Sequence, residues 1–464
     1  MTIWQPDLDG RTGPKFKQIA DAIGDDIARG RLAIGDRLPV QRDLAYALDL
    51  SLNTVSRAYT EAMERGLLRG EVGRGTYVRT SGPLTVRTDP AEMVRPENGP
   101  IDFSLNLPAP GKAAGILAQT LTDLGSTDTL ASFLDYQDAD DSIRHRRAGA
   151  DWLSRVGVSA RSRTTLVTNG AQHGVMTALM ATTRPGDVLL TERLTYGPIL
   201  ALARHLGLKI VPVSTDDRGL SPHALDTICE KIAASALYCL PTINTPTTAT
   251  MDGERRAELV SVARKHDLVI IEDDVFGMLP VERPLPVACL APERTVYVTS
   301  VSKSLAPGLR VGYVHAPDRL VGSLRAAITL SCWMPPPLMA EIASRWIEDG
   351  TADALNGHQR EEATARQALA RTALPADALR AHPNGFHVWL ALPAHWQPDA
   401  FRRAAEQRGV KLLPGDVFSV DRTAATGAVR LCLSHESASE RVTRGLATIA
   451  GLLDEPGDTG SILL

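Results

Sequence analysis

The chain has 464 residues, more than one hydrophobic core usually serves, so two or three domains are expected. Its 44% hydrophobic and 22% charged residues are ordinary for a globular protein. No run of about 18 apolar residues exists, which excludes a transmembrane helix, and residues Met1 to Asp9 lack the basic and apolar regions of a signal peptide; a cytoplasmic protein is expected.

The five cysteines (Cys229, Cys239, Cys289, Cys332, Cys432) form no C-x-x-C pair. They read as buried thiols in a reducing compartment, without a disulfide framework or a metal site. The net charge of −4 is unevenly spread: residues 11–79 carry 12 Lys+Arg against 9 Asp+Glu, leaving −7 on the remainder. A basic module on an acidic body points weakly to nucleic acid.

Phe16, Ile19, Ile23 and Ile27 recur at helical spacing and predict a first amphipathic helix. Gly30, Gly35 and Pro39 punctuate the chain, and a short second helix carries Leu44, Ala47 and Leu48. Ser51, after the turn Asp49-Leu50, is a good N-cap for a third helix. That helix puts Val55, Tyr59 and Met63 on one face. Asn53, Thr54 and Arg57 lie on the other, polar and sized to reach base edges or phosphates. Leu68 to Val78, with Gly70, Gly73 and Gly75 and an alternating Tyr77, predicts a tight β-hairpin. Three helices and a hairpin describe a winged helix-turn-helix, whose third helix enters the major groove of a DNA operator while Arg74 of the wing follows the backbone.

The ordered segments Gly35-Asp-Arg-Leu-Pro39, Arg42-Asp-Leu-Ala45, Ser51-Leu-Asn-Thr-Val-Ser-Arg-Ala-Tyr59, Glu64-Arg-Gly-Leu67 and Gly73-Arg-Gly-Thr-Tyr-Val78 resemble the GntR family of bacterial regulators. The resemblance implies DNA contacts from Arg42, Thr54, Arg57 and Arg74. Gln41 stands where the pattern often has Ser. The competing reading is a helical packing module that never meets DNA. Residues 80–100, with Pro83, Pro90, Pro96 and Pro100, read as an extended tether between a DNA-binding domain (1–79) and a body (101–455); 456–464 is a tail.

From Ile101 onward, apolar runs alternate with helical patterns, which argues for an α/β fold with a largely parallel sheet. Leu166-Val167, Val188-Leu-Leu190, Ile210-Val-Pro-Val213 and Leu268-Val-Ile-Ile271 are such runs. Thr168-Asn-Gly-Ala-Gln-His-Gly174 then enters a helix of Val175, Leu179 and Met180, and small residues at a helix start leave N–H groups to hold a phosphate. Tyr196 can lie over a flat cofactor. Three carboxylates end the run 268–277, and Asp273 can keep a pyridinium nitrogen protonated; Mg²⁺ binding or solvation is the alternative. Val296 and Val298 predict a strand that delivers Lys303, whose amine can form a Schiff base with an aldehyde. Ser300, Ser302 and Arg310 can hold a phosphate beside it. Aldehyde plus phosphate suggests pyridoxal 5'-phosphate (PLP). Arg430, inside the apolar strand Ala428-Val-Arg-Leu-Cys-Leu433, needs an anion: a substrate carboxylate, or a structural Asp or Glu.

In this order the signals resemble fold type I PLP enzymes, the aspartate aminotransferase class, throughout residues 101–455. Winged helix, linker and body together resemble the MocR subfamily of GntR regulators. The implied fold is α/β: a winged helix-turn-helix, then an aminotransferase-like domain with a mainly parallel large sheet and a small C-terminal α+β subdomain. By the same resemblance Lys303 forms the internal aldimine, and Asp273 pairs with the ring nitrogen. Gly170, Ala171, Gln172, Ser300, Ser302 and Arg310 hold the phosphate, Tyr196 lies near the ring, and Arg430 takes an amino acid's carboxylate. Leu134-Asp-Tyr-Gln137 resembles the segment whose tyrosine, here Tyr136, reaches the neighbouring subunit's cofactor, which implies a homodimer.

Three positions depart from the pattern: Thr245 stands where an Asn usually donates to the cofactor's ring oxygen, with Asn244 one place earlier; Phe276, after Val275, stands where a Tyr does; and Asp140 stands where a Gly commonly follows the Tyr136 motif. The expectation is therefore a regulator that senses an amino acid or amine as an external aldimine, with transamination slow or absent. An active aminotransferase carrying a DNA-binding module is the alternative, and a regulator that binds no cofactor is a third reading.

Overall fold

The computed structural model describes residues 4–8, 11, 13–28, 31–32, 36–64, 67–71, 75–78, 99–137, 142–421 and 426–455. Arg74, Asp140, all but the last two residues of the expected tether, and the expected tail lie outside them. The chain divides into two compact units, Met1–Arg87 and Thr88–Leu464.

The first unit is three helices and a hairpin: α1 (Lys15–Ala28), α2 (Gln41–Ala47), α3 (Leu52–Glu64), and the antiparallel pair β1 (Leu68–Glu71) and β2 (Gly75–Val78). Ile19 and Ile23 of α1, Leu44 of α2, Val55 and Tyr59 of α3, and Leu68 and Val78 of the hairpin form one core. Ser51 caps α3, its Oγ accepting the Thr54 N–H at 3.1 Å. The Tyr59 hydroxyl donates to the Pro39 carbonyl at 2.9 Å, which ties α3 to the segment entering α2.

The second unit is built on a seven-stranded sheet. Its strands follow β3 (Ile101–Asp102) in the chain as β4 (Thr165–Thr168), β5 (Val188–Glu192) and β6 (Lys209–Val213). After a small hairpin of β7 (Thr215–Asp216) and β8 (Gly219–Leu220) come β9 (Ala236–Cys239), β10 (Val269–Asp273), β11 (Thr295–Ser300) and β12 (Gly312–His315). The order across the sheet is β4-β12-β11-β10-β9-β5-β6. Only β12 runs against its neighbours, and every other adjacent pair is parallel. The central strands are apolar on both faces because helices cover both, as a parallel sheet requires.

The last part of the chain forms a four-stranded antiparallel sheet, ordered β13 (Leu379–Ala381), β14 (His387–Ala391), β17 (Ala428–Cys432), β16 (Leu413–Pro414). Leu374, Phe401, Leu446 and Ile449 from the helices around it share its core with Val388 and Val429. Between them β15 (Val410–Lys411) pairs in parallel with β3, so the first strand of the body is held by its last third. Phe103, directly after β3, is buried in the same core.

One expectation is corrected. All five cysteines are free, but only Cys239 and Cys432 are buried; Cys229, Cys289 and Cys332 are half-buried, on or at the ends of helices that border solvent. Gly149 sets how closely helix Ile143–Ser154 approaches the sheet: a Cβ there would lie 2.3 Å from Cδ1 of the buried Tyr313 ring. Gly149→Ala is therefore expected to overpack this contact at a cost of about 1–3 kcal/mol, read as a lower melting temperature.

Candidate functional site

The β4, β10 and β11 strands are mutually parallel and end at one edge of the sheet. The register aligns Ser300 with Gly312, and Gly312 with Thr168. The turns after β4 and β11 therefore lie side by side, at the carboxyl edge where open α/β sheets bind ligands.

The turn after β4 opens helix Ala171–Thr182. Its N-cap, Gly170, has φ 78° and supplies no side chain, so the helix's first N–H groups face outward uncapped. A Cβ on Gly170 would lie 2.6 Å from Arg310 Nη2, and that guanidinium donates to the Asn169 carbonyl at 3.1 Å. Arg310 itself is exposed and left-handed (φ 52°). Ser300 is buried, and its Oγ accepts the Ser302 N–H at 3.3 Å. Hydroxyls, a guanidinium and helix N–H groups thus converge as a phosphate requires. Ala171 is half-buried and Gln172 exposed at the rim. His173 was not foreseen: its Nδ1 accepts the Asn169 N–H at 3.0 Å and its Nε2 meets Ser331 Oγ at 2.7 Å, fixing the loop from behind.

The three carboxylates at the end of β10 go three ways. Glu272 accepts the N–H groups of Val287 and Ala288 at 2.9 and 2.8 Å. Asp274 pairs with Arg283 at 2.8 Å and accepts from the Tyr297 hydroxyl at 2.7 Å. Asp273 alone faces the site. Its Oδ2 accepts from Tyr238 at 2.6 Å, while Oδ1 is buried without a hydrogen bond. Burial pushes its carboxyl up to about 6, against the Tyr238 hydrogen bond. An oxygen so placed suits a ring N–H⁺. Among the described residues no group of three or more His, Cys, Asp or Glu side chains could hold a metal ion.

Lys303 lies three residues past β11. Its Nζ donates to the Asn106 carbonyl and sits 5.7 Å from the centroid of the Phe276 ring. Burial brings its amine down to about 8, from an ordinary 10.5. Arg430, buried in β17, donates from Nη2 to the Ser104 carbonyl at 2.7 Å and lies 4.6 Å over the Phe418 ring. Its Nε is buried without an acceptor, and no Asp or Glu among the described residues pairs with it. Tyr196 N-caps helix Gly197–His205, and burial, then the nearby Asp273 charge, push its phenol up to about 12.

Phe276 packs edge-on against Phe386 at 5.9 Å and beside His387 at 5.8 Å. His387 was also missed. Buried, it bridges Asn106 Nδ2 (3.2 Å) and the Asn244 carbonyl (3.3 Å), and burial with the Arg430 charge holds it down to about 3, so it is neutral. Its Nε2–H donates to Asn244 and its Nδ1 accepts from Asn106. Thr245 is buried, and Asn244 spends its side-chain oxygen on the Thr247 N–H (3.2 Å) and hydroxyl (2.9 Å). Tyr136 is 80% exposed and edge-on to Trp333 at 5.9 Å.

On the first unit, Arg42 and Asn53 are exposed. The Thr54 hydroxyl is tied to Ser51 Oγ at 2.8 Å, and the Arg57 guanidinium stacks 4.1 Å over Phe16. Gln41 accepts from Ser56 at 2.7 Å. Arg37, which the sequence reading passed over, is exposed against Gly75 of the hairpin, and with Gln41 and Arg42 it lines a hollow of about 360 Å³.

Residues 114–448 match the aminotransferase class I and II family and residues 15–78 the gntR family of bacterial regulatory proteins. The uncharacterized HTH-type transcriptional regulator YdeF of Bacillus subtilis is 29% identical over 457 residues, 97% of each chain. The vitamin B6 salvage pathway transcriptional repressor PtsJ of Salmonella typhimurium is 28% identical over 435 residues, 93% of this chain and 96% of its own. The multiple substrate aminotransferase of Thermococcus profundus shares the fold with a TM-score of 0.72 at 22% identity, over 81% of this chain and 96% of that one. By its body the chain belongs to the PLP-dependent aminotransferase class I and II family, and with a gntR-family DNA-binding unit before that body it is a transcription regulator of the MocR subfamily.

Proposed function

We propose that the body senses an amino acid or amine through PLP held at Lys303 and passes that state to the DNA-binding unit, with transamination slow or absent. The observation that carries the reading is a pair of spare, buried hydrogen-bonding atoms, Asp273 Oδ1 and Arg430 Nε. One suits a ring nitrogen and the other a carboxylate. When bound, PLP supplies an aldehyde for amines and a protonated ring that withdraws electrons. Lys303 is the group that carries it. Asp273 holds a proton at the ring nitrogen, and Gly170, Ala171, Gln172, Ser300, Ser302 and Arg310 hold the phosphate. Tyr196 lies against the ring and Arg430 orients the effector's carboxylate.

Slow turnover is supported by Phe276, an apolar ring packed between Phe386 and His387 where a donor to the ring oxygen is expected. Asn244 turns its side-chain oxygen to Thr247. The exposure of Tyr136 fits a second copy of the chain completing the site. The same division assigns residues 1–79 to DNA binding, 80–100 to the tether and 101–455 to sensing.

Three measurements test this. Steady-state amino-group transfer across a panel of amino acids is expected to fall well below the ordinary enzyme median of about 10 s⁻¹; turnover at that level would favour the aminotransferase reading. Arg42→Ala is expected to weaken binding to a duplex that the full chain retains and to lower the salt slope, d log K/d log[salt], by about one. An unchanged slope would remove Arg42 from the DNA face. The free amine is the nucleophile, so an amine titrating near 8 is expected to capture PLP faster as pH rises to about 8 and then level off. A rate still climbing tenfold per unit at pH 10 would mean an ordinary, solvated lysine, and Lys303→Ala abolishes the visible absorbance in either case.

A further inference from the structure

We propose that the segment Ser104–Asn106 is a strap gripped by the two cations that the ligands need, and that occupancy of the site releases it at the junction with the tether. The proposal rests on the sensing reading above. Lys303 Nζ donates to the Asn106 carbonyl and Arg430 Nη2 to the Ser104 carbonyl at 2.7 Å. The two cations come from different sheets, Lys303 from beyond β11 of the seven-stranded sheet and Arg430 from β17 of the four-stranded one. The strap therefore spans both halves of the body.

Its upstream end is continuous with the tether. Asp102 N–H donates to Glu436 at 2.6 Å, and Arg441, which pairs with Glu436, also donates to the Gly99 and Pro100 carbonyls at 3.1 Å each. Phe103 N–H donates to Lys411 and Cys432 N–H to Phe103, both at 2.8 Å. The strap is thus an extension of the short β3–β15 pairing, held downstream by Lys303, Arg430, the Asn106–His387 bond and the Cys432 thiol, which donates to the Ser104 carbonyl at 3.8 Å, with the Ser104 N–H turned back to Asp102 Oδ1 at 2.7 Å.

Both cations are claimed by ligand chemistry. When a primary amine condenses with an aldehyde, the carbonyl oxygen leaves as water and the nitrogen keeps at most one hydrogen of the ammonium's three. The Asn106 carbonyl then loses its ammonium donor. A carboxylate that takes the spare Arg430 Nε–H closes a bidentate pair through Nη2, and Nη2 turns from the Ser104 carbonyl, a neutral acceptor, to the charged one. The cofactor thus loosens the strap at Asn106, and an effector carboxylate loosens it at Ser104. The released backbone lies within a few residues of the chain leading to the DNA-binding unit.

Hydrogen exchange by mass spectrometry on the full chain tests this with two probes. PLP alone engages Lys303. N-(5'-phosphopyridoxyl)-L-leucine carries the phosphate, ring and a carboxylate but no aldehyde, so it engages Arg430 and leaves the Lys303 amine intact. Both are expected to slow exchange at Gly170–Gln172. The conjugate is expected to speed exchange across residues 101–107 roughly tenfold, the scale of losing one hydrogen bond to a charged group, and PLP by a smaller factor near Asn106. Slowed exchange at 170–172 with 101–107 unchanged or slowed would overturn the strap and leave the PLP reading intact; no change at either segment would overturn both. Arg430→Gln is expected to show the faster 101–107 exchange without any probe. If that variant fails to fold, as a thermal melt would show, the two wild-type comparisons decide.

Discussion

A carboxylate at the end of a fully covered parallel strand costs free energy unless a donor or a cation meets it. Asp273 is that carboxylate. Tyr238, from the adjacent strand β9, satisfies one oxygen, and among the described residues no hydrogen bond satisfies the other. The neighbouring acids are met differently: Glu272 accepts two backbone N–H groups, and Asp274 Oδ2 takes both an arginine and a phenol while its Oδ1, like that of Asp273, is buried without a hydrogen bond. Asp274 has the Arg283 charge against it, whereas Asp273 has a phenol and no ion pair among the described residues, so of the three it is the acid left to meet a positive group from outside the chain.

The remaining site follows from the same edge. Because β4, β10 and β11 all end there, the uncapped start of helix Ala171–Thr182, the Asp273 oxygen and Lys303 are brought to one place by sheet topology alone. Arg430 arrives from the other sheet and brings a second positive charge toward Lys303. Burial, with the Arg430 charge added to it, leaves Lys303 nearer its free amine than a solvated lysine would be. A nucleophilic amine and an anchoring guanidinium are therefore produced by one arrangement, without a dedicated base beside the lysine.

Much of this was legible in the sequence because it is local. Strand-end acids alternate in direction with period two, so one of three adjacent carboxylates must face away from its neighbours. A glycine turn into a helix, or an arginine inside an apolar strand, is likewise read within a few residues. What was not legible depends on residues far apart. His387 meets Asn106 across 281 positions, and Arg430 meets Ser104 across 326. The β3–β15 pairing joins two-residue strands too short to carry a pattern. His173 and Tyr238 are ordinary buried residues in sequence and acquire roles only from the groups packed against them. The expected burial of all five cysteines failed for a related reason, since helix ends bordering solvent are set by packing rather than by residue type.

The retained and altered residues together argue for a sensor over an engine. On the proposed reading, capture of an amine draws on Lys303, the turn at Gly170, Asp273 and Arg430, and Asp273 Oδ1 and Arg430 Nε are buried without hydrogen bonds. On the proposed reading, rapid turnover also needs the ring oxygen held by donors, and there the chain offers Phe276, an apolar ring shielded by Phe386. His387 reinforces the point: held neutral by burial and Arg430, it links the Asn244 loop to Asn106 and is fixed by both. A histidine spent as a brace is unavailable as a general base. The polar groups around Lys303 are thus committed to holding backbone segments in place, and that suits a site whose output is the position of the chain.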